Sequence, residues 1–550
     1  MKKVILIPLF ISIFTNSIFA QNELTKTEKL ISTAKIWGFL KYYHPEVADG
    51  KFNWDNQLFQ LLPMVANATN KKELSQIYLE WIEKLGKVKP CKQCGQNKST
   101  KYFDKNFDLS WIDKDQLFTD ELSKKLKFIE HNRHQGKKYY VGHYSRRLKI
   151  ANFTNETTYK GYDWHDENLR LLSLFRYWNM IEYFYPAKYQ TDLDWDEVLN
   201  KMIPKFLNPK SETDFHLAMI ELAASIDDSH VRLNTEKTYL YFGHYYLPVQ
   251  YRLINGNAVI TEYYNDSLAR MNDLKIGDVI TKADDKEIET IFQNNRKYIM
   301  GSNNARKKLN ASYYILNGPT DSLKLEILRD GKTVIKSVKR YLYRDFNYEK
   351  KKIKEGYKIL EGNIGYINVS ELENIGVPDI MKSLKDTKAI IFDTRQTSAA
   401  SMYDFADYIT WPKKGFYKAL EPDLNYPGRF LWTDVSKVGN YKELLYKGKI
   451  VLLADEGCQS QCEFTIMCLQ TGNNVTTIGS QTSGANGNVI IFNMVGGFKT
   501  QISGVGIFYP DGTENQRKGV KIDIEVQKSI KGIVEGKDEI LERAIEFVNE

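Results

Sequence analysis

Ser460 stands where a hydroxyl can gain reactivity. It lies in Asp455-Glu-Gly-Cys-Gln-Ser460-Gln-Cys-Glu463-Phe-Thr, after a run of buried-strand type and at the opening of a helical segment. A helix start collects N–H groups and the positive end of the dipole, which favours negative charge formed there. The backbone N–H of Gln461 is then placed to face an oxyanion on a carbonyl bonded to Ser460. The same spacing has a plainer reading. Ser460 and Glu463 have the S-x-x-E pattern of a capping box, which needs no catalysis. The two readings are compatible, because Glu463 can cap the helix while Ser460 does chemistry. Cys458, Cys462 and Cys468 read as helix and core packing. Elsewhere Cys91-Lys-Gln-Cys94 offers a small disulfide, half a zinc site or a redox pair. No second CxxC or suitable His pair follows, and no thioredoxin-like βαβ pattern surrounds it, so a loop-closing disulfide is the favoured reading.

The elements that would position these groups begin with a repeat. Trp37-Gly-Phe-Leu-Lys-Tyr-Tyr-His-Pro45 is echoed by Trp178-Asn-Met-Ile-Glu-Tyr-Phe-Tyr-Pro186, an offset of 178 − 37 = 141. Trp54-Asp55 and Trp195-Asp196, Leu58 and Leu199, and Pro63 and Pro204 keep that register. Trp37, Leu40 and His44 fall at helical spacing, and the aromatics read as core. Only the second copy runs into Ile226-Asp-Asp-Ser-His230; the first has Lys89 at the matching position. Between the copies, residues 87–170 are irregular. From about Thr238 short alternating strands appear, with Leu274-Lys-Ile-Gly-Asp-Val-Ile280 among them and a turn at Asp330-Gly331. After Gly362, buried-type strands at 364–369, 389–393, 449–455 and 475–479 alternate with helical segments, an α/β layout with crossovers.

Residues 449–465 resemble the nucleophile segment of the C-terminal-processing (tail-specific) serine peptidases, and Gly479-Ser-Gln-Thr-Ser-Gly-Ala-Asn-Gly-Asn488 resembles their second conserved turn. The branch with a Ser/Lys dyad has a lysine where this chain has Ala485. The tricorn-core branch instead uses an upstream Ser-His pair, to which Asp228-Ser229-His230 is similar. Tyr509-Pro-Asp-Gly-Thr-Glu514-Asn-Gln-Arg-Lys-Gly-Val520 resembles the closing segment, with Glu514 where that branch places an acidic orienting residue. The resemblance covers roughly residues 170–530 and implies a serine-type peptidase without cofactor or metal. It makes Ser460 the nucleophile, His230 the general base, Ser229 and Glu514 its supports, and Gln461 the oxyanion donor. The "L-x-x-G-D-x-I" stretch resembles a PDZ domain, which implies capture of an extended chain end by strand addition, with Ile276 and Gly277 as substrate-binding positions. One departure is plain. The family's first-strand motif ends in a Gly-rich turn that donates an oxyanion-hole N–H, whereas Asp393-Thr-Arg-Gln-Thr-Ser-Ala-Ala-Ser401 has no glycine. The rival reading is therefore a catalytically degraded peptide- or ligand-binding protein on the same scaffold.

The expected fold class is α/β in a multidomain α+β arrangement. A signal peptide occupies 1–20, a helical N-terminal domain 21–170, and the second repeat copy with Ser229-His230 171–236. A PDZ-like domain follows at 237–345 and an α/β peptidase core at 346–550. Composition agrees with a folded chain: 550 residues, 42% hydrophobic and 27% charged, with 14 Pro and 34 Gly, exclude disordered, collagenous and coiled-coil chains. The net charge of +8 is too thinly spread for a nucleic-acid partner, so a polypeptide or peptide substrate is the expected partner. Five cysteines exclude a disulfide scaffold. Lys2, Lys3, an apolar run over residues 4–14 and Ser17-Ile18-Phe19-Ala20 read as a signal peptide cut before Gln21. No later run reaches the roughly 18 apolar residues of a membrane helix. The expectation is an exported protein, periplasmic or secreted.

Overall fold

The repeat is visible in three dimensions down to its caps. Thr25 and Asp166 cap the helices Lys26–Tyr43 and Glu167–Phe184. Asn53 and Asp194 do the same for Trp54–Asn67 and Trp195–Leu207. Each cap side chain accepts an amide of the first turn, a contact worth about 1 kcal/mol. Trp37 and Trp54 exchange indole N–H to carbonyl bonds of 3.1 Å each. Trp178 and Trp195 repeat the exchange at 2.8 and 3.0 Å. The two long helices touch at Gly38, where a Cβ would lie 1.7 Å from Oδ1 of Asn179. The computed structural model that shows this describes residues 24–95, 101–346, 356–372, 376–395 and 402–550.

Residues 245–342 form a separate β module. Its sheet runs Lys332–Lys339, Ser322–Arg329, Val279–Ala283, Asn257–Tyr263, Val249–Ile254 in spatial order, with Lys286–Glu287 beside Val279–Ala283. The helix Ile288–Asn295 covers its apolar face, and Leu274, Ile280, Phe292 and Ile327 fill the space between. Val249–Ile254 pairs on one side only, with Asn257–Tyr263.

The last third is built on a six-stranded sheet ordered Tyr357–Leu360, Ile364–Asn368, Ala389–Asp393, Lys449–Ala454, Val475–Gly479, Ile524–Glu525. All neighbours after the first pair are parallel. Such strands are buried on both faces, which explains their continuous apolar runs. One face packs against the helices Val377–Leu384, Met402–Ile409 and Gln461–Leu469, the other against Glu539–Asn549. A second, five-stranded sheet joins Tyr102–Phe103 from the irregular region to Phe430–Trp432, Lys414–Pro422, Ser436–Val438 and Gly506–Phe508.

A hairpin joins the α/β unit to the helical unit. Val489–Asn493 and Lys499–Ser503 pair antiparallel, and their Ile490, Phe492 and Ile502 are buried in the same core as the repeat helices. Each such side chain stabilises by about 1.5–3 kcal/mol when removed from water. The packing brings Ser503 beside the loop after the helix Glu212–Ala224. No helix of the described residues is long and apolar enough to cross a membrane.

Candidate active site

Ser460 sits between the buried strand Lys449–Ala454 and the helix Gln461–Leu469. Its backbone is at φ 57°, ψ −113°, a region that side chains avoid. Holding a non-glycine residue there costs about 1–3 kcal/mol and requires over-determined surroundings. Those surroundings are present. The Ser460 N–H donates to the Ala485 carbonyl at 2.8 Å, Cys458 N–H to Asp455 O at 3.0 Å, and Ser483 N–H to Cys458 O at 2.9 Å. Ala485, the position without a dyad lysine, is thus a fully buried backbone prop for the serine.

The capping-box pattern is not closed. The Ser460 side chain caps nothing, so its hydroxyl is not consumed by the helix. Glu463 lies where the Ser460 amide favours its ionised form, although that amide itself donates to Ala485 O. Glu463 accepts from Thr482 Oγ1 at 2.6 Å, Gly484 N at 2.8 Å and Ala485 N at 3.0 Å. Burial lifts its pKa to about 7, against those donors, which favour the ionised form. A carboxyl raised in this way stabilises the fold most below about pH 4.5, and that contribution is lost as pH rises through about 7. The span of some 2.5 pKa units corresponds to roughly 3 kcal/mol. Thermal unfolding should therefore show a Tm that falls between pH 5 and 8 in wild type. Glu463→Gln should flatten that slope; an equal slope in both proteins would assign the dependence to other groups.

Of the three neighbouring cysteines read as packing, Cys468 is buried in the core, while Cys458 and Cys462 do more than pack. Cys458 and Cys462 form a disulfide, their Cα atoms 5.3 Å apart, while Cys468 is a buried free thiol. Four-residue spacing across a helix start brings the Cα atoms into the 4.4–6.8 Å window a disulfide needs. Cys91 and Cys94 are also joined.

His230 lies in the loop that follows Glu212–Ala224 and is 4% exposed. Its Nδ1 is 2.8 Å from Ser503 Oγ. The Ser503 hydroxyl donates to Asp228 Oδ1 at 2.9 Å, and the Ser503 amide donates to Asp228 Oδ2 at 2.6 Å. With its proton given to Asp228, Ser503 Oγ can only accept from Nδ1–H. The network therefore selects the tautomer whose Nε2 carries a lone pair. That Nε2 is buried and has no hydrogen-bond partner among the described residues. Burial is the largest cause that lowers the His230 pKa; Asp228 opposes it, and Arg232 and Arg306 add to it.

The loops of Ser460 and His230 meet directly. Gln459 Nε2 donates to the Ser229 carbonyl at 3.1 Å, and Ser229 Oγ donates to the Ser483 carbonyl at 3.1 Å. Ser229 also exchanges bonds with Ser302, its amide to Ser302 Oγ and the Ser302 amide to Ser229 Oγ, both 2.8 Å. Ser229 thus fastens loops together and does not touch the imidazole. Arg306 bonds the Glu456 carbonyl at 3.2 Å, in the turn that leads to Ser460. Gln461 is the first residue of its helix, and its side chain reaches Met402 Sδ at 3.2 Å.

Three sequence candidates lie apart from this cluster. Glu514 pairs with Lys518 at 2.8 Å and Lys105 at 3.3 Å, and accepts from Tyr189 at 3.4 Å; none of its contacts is with His230. Its segment does reach the site, through Gln516, whose Nε2 is 3.5 Å from Asp228 Oδ1. The amide of Ile276 donates to Tyr263 Oη at 3.2 Å and that of Gly277 to Ile260 O at 2.8 Å, so both serve the turn itself. A Cβ on Gly277 would lie 2.4 Å from Val534. The glycine-free turn at 393–401 lies outside the described residues beyond Arg395. No group of His, Cys, Asp and Glu among the described residues is arranged to hold a metal. Asp228 and Ser503 are the functional candidates that sequence reasoning misses.

Residues 363–526 match the model of peptidase family S41. No curated protein matches the chain. Among solved structures, mature CPAF complexed with lactacystin is similar over 69% of this chain and 99% of that one, at 13% identity and a TM-score of 0.52. A structure of mature CPAF gives 69% and 98%, 14% identity and a TM-score of 0.52. A putative peptidase from Parabacteroides merdae covers 69% and 96% at 14% identity, with a TM-score of 0.43. The fold is that of an α/β scaffold shared with those structures, with added helical and β units. The family S41 match falls on the part of the chain that carries Ser460 and Ser503, whereas His230 lies before it.

Proposed function

We propose that the chain is an exported serine peptidase in which Ser460 attacks the scissile carbonyl. His230 Nε2 takes the hydroxyl proton and returns it to the leaving amine, the cycle a histidine near neutrality can run. Ser503 and Asp228 hold the imidazole and stabilise its charged form, and the Gln461 N–H receives the developing oxyanion at the positive end of its helix. The carrying observation is the His230 ring itself, fixed at Nδ1 by Ser503 and left with a buried, unpartnered Nε2. Most buried polar atoms are hydrogen-bonded, so a ring anchored at one nitrogen and unpartnered at the other leaves Nε2 available to a further partner. The test is labelling with a serine-directed fluorophosphonate followed by peptide mapping. Label on Ser460 supports the reading; a folded protein that takes no label at Ser460 points to the binding-protein alternative. The residues before position 24 lie outside the described residues, and export rests on the signal-peptide pattern of residues 1–20. N-terminal sequencing of the mature protein should begin near Gln21.

The β module is proposed to be PDZ-like and to receive a substrate chain as an added strand. The open edge of Val249–Ile254 supports this. A cavity of about 320 Å³ lies beside that edge, lined by Arg252, Ile254 and Asn255 on one side and Glu456, Ser480 and Gln481 on the other. Strand addition at this edge directs a chain toward the turn that carries Ser460. Peptides with an amidated C-terminus should then be cut more slowly than the free acids. Equal rates would reduce the module to packing or gating.

A further inference from the structure

The disulfide Cys458–Cys462 encloses the nucleophile: Ser460 is the central residue of the five-residue segment it closes. Both half-cystines are buried, at 0% and 1% exposure, whereas Ser460 itself is only half-buried. The link therefore sits beneath the serine, toward the core. Its two ends are fixed in different ways. Cys458 belongs to the turn held by Asp455 O and by Ser483 N–H. Cys462 lies in the first turn of the helix Gln461–Leu469, with its amide on Gln459 O at 3.2 Å. Between these anchors the chain must pass through φ 57° at a residue with a side chain, a conformation that relaxes unless something forbids it.

The hydrogen bond to Ala485 O restrains the Ser460 amide, but the hydroxyl has no cap bond to aim it. The covalent link supplies the missing restraint, since it fixes the separation of the residues two before and two after the serine. Reactivity is sensitive to such a restraint, because a displacement of about 1 Å at a reacting group costs about 10²-fold in rate.

Resting on the serine-peptidase reading above, we propose that the Cys458–Cys462 disulfide is a positioning clamp for Ser460, so that peptidase activity belongs to the oxidised form and is reversibly lost on reduction. The redox step is ordinary thiol–disulfide exchange. One thiolate of a dithiol attacks Cys458 or Cys462 sulfur and breaks the bond between them, giving a mixed disulfide and one cysteine thiol. The second thiol of the reagent displaces the other cysteine, so the reagent leaves as a cyclic disulfide, and both electrons and both protons end on Cys458 and Cys462.

The experiment follows the full chain through reduction with dithiothreitol and re-oxidation. Alkylation in denaturant, read by mass, counts the thiols at each stage: Cys468 alone before reduction and all five cysteines after it. Once Cys458 and Cys462 are reduced, kcat should fall about 10²-fold with little change in KM. The fluorophosphonate labelling rate should fall in parallel, the Tm should hold within a few degrees, and re-oxidation should restore kcat. Cys91→Ser with Cys94→Ser should respond as wild type does. Cys458→Ser with Cys462→Ser should show the low kcat whether or not dithiothreitol is present. Full kcat in a protein whose Cys458 and Cys462 are both alkylatable overturns the clamp. If the buried link resists the reagent, the Cys458→Ser, Cys462→Ser pair decides; if that pair does not fold, wild-type reduction in mild denaturant followed by dilution decides. Oxidised wild type that takes no label at Ser460 overturns the serine-peptidase reading itself, a result distinct from a labelled enzyme that ignores reduction.

Discussion

Ser460→Ala should lose at least about 10⁴-fold in kcat and keep its fold. The rate expectation comes from the unit behaviour of nucleophile and base, where loss of either member removes the covalent route. The stability expectation comes from the structure. A serine that caps its helix loses about 1 kcal/mol on replacement by alanine, but Ser460 makes no such cap. Its hydroxyl therefore contributes little to the fold, and alanine at φ 57° carries the same strain as serine. Ser460→Gly makes the complementary point. Glycine accepts this backbone freely, so it should recover the strain of about 1–3 kcal/mol, less about 0.5–1 kcal/mol for its greater freedom when unfolded. An inactive glycine variant with a raised Tm would show that the turn stores strain for the sake of the hydroxyl. A Ser460→Ala protein that cuts peptides at the wild-type rate would end the enzymatic assignment of this residue.

Much of the architecture is legible in the sequence because it is local. The repeat shows because each copy needs the same buried tryptophan pair, bonded indole to carbonyl, and the same polar caps in register. The parallel strands show because both their faces are covered, which demands unbroken apolar runs. The five-stranded sheet does not show, since strands such as Tyr102–Phe103 and Phe430–Trp432 are two and three residues long and pair across more than 300 positions. Periodicity cannot register an element of that length. The site divides in the same way. Ser460 is readable from the strand–turn–helix pattern around it. Ser503 is not, because a serine at the end of a hairpin strand carries no spacing signal; only burial of Ile490, Phe492 and Ile502 among the repeat helices brings it to His230. Asp228 lies in plain view two residues before the histidine, but its role depends on that hairpin. Glu514 stands out by its order in a motif, and order does not specify direction: its carboxylate turns to Lys518 and Lys105. The cysteine pair carries a usable signal, the four-residue spacing across a helix start, which a packing role does not explain.

His230→Ala should cost about 10²–10⁴-fold in kcat, the range of general acid–base catalysis. Its supports should be separable by double mutants. Ser503→Ala removes the acceptor of Nδ1–H, and Asp228→Asn removes the charge that holds Ser503 and favours the imidazolium. Each should lower kcat by less than His230→Ala does, and neither should lower it further when placed on His230→Ala, because a positioning group has nothing left to position. Losses that multiply in those pairs would assign Ser503 and Asp228 another task. Glu514→Gln should change kcat little, as its partners are Lys518, Lys105 and Tyr189 and none of its contacts is with His230. The pH profile tests the same chain of bonds independently. The base works neutral, so kcat/KM rises as His230 loses its proton. Burial, with Arg232 and Arg306 nearby, lowers its pKa, so the acid limb should lie below the ordinary histidine value of about 6.5. Asp228 works against that shift, so Asp228→Asn should move the limb further toward acid while kcat falls. A limb that stays in place in Asp228→Asn would separate the aspartate from the titrating group. A limb above about 6.5 in wild type would mean that the group observed is not the buried His230.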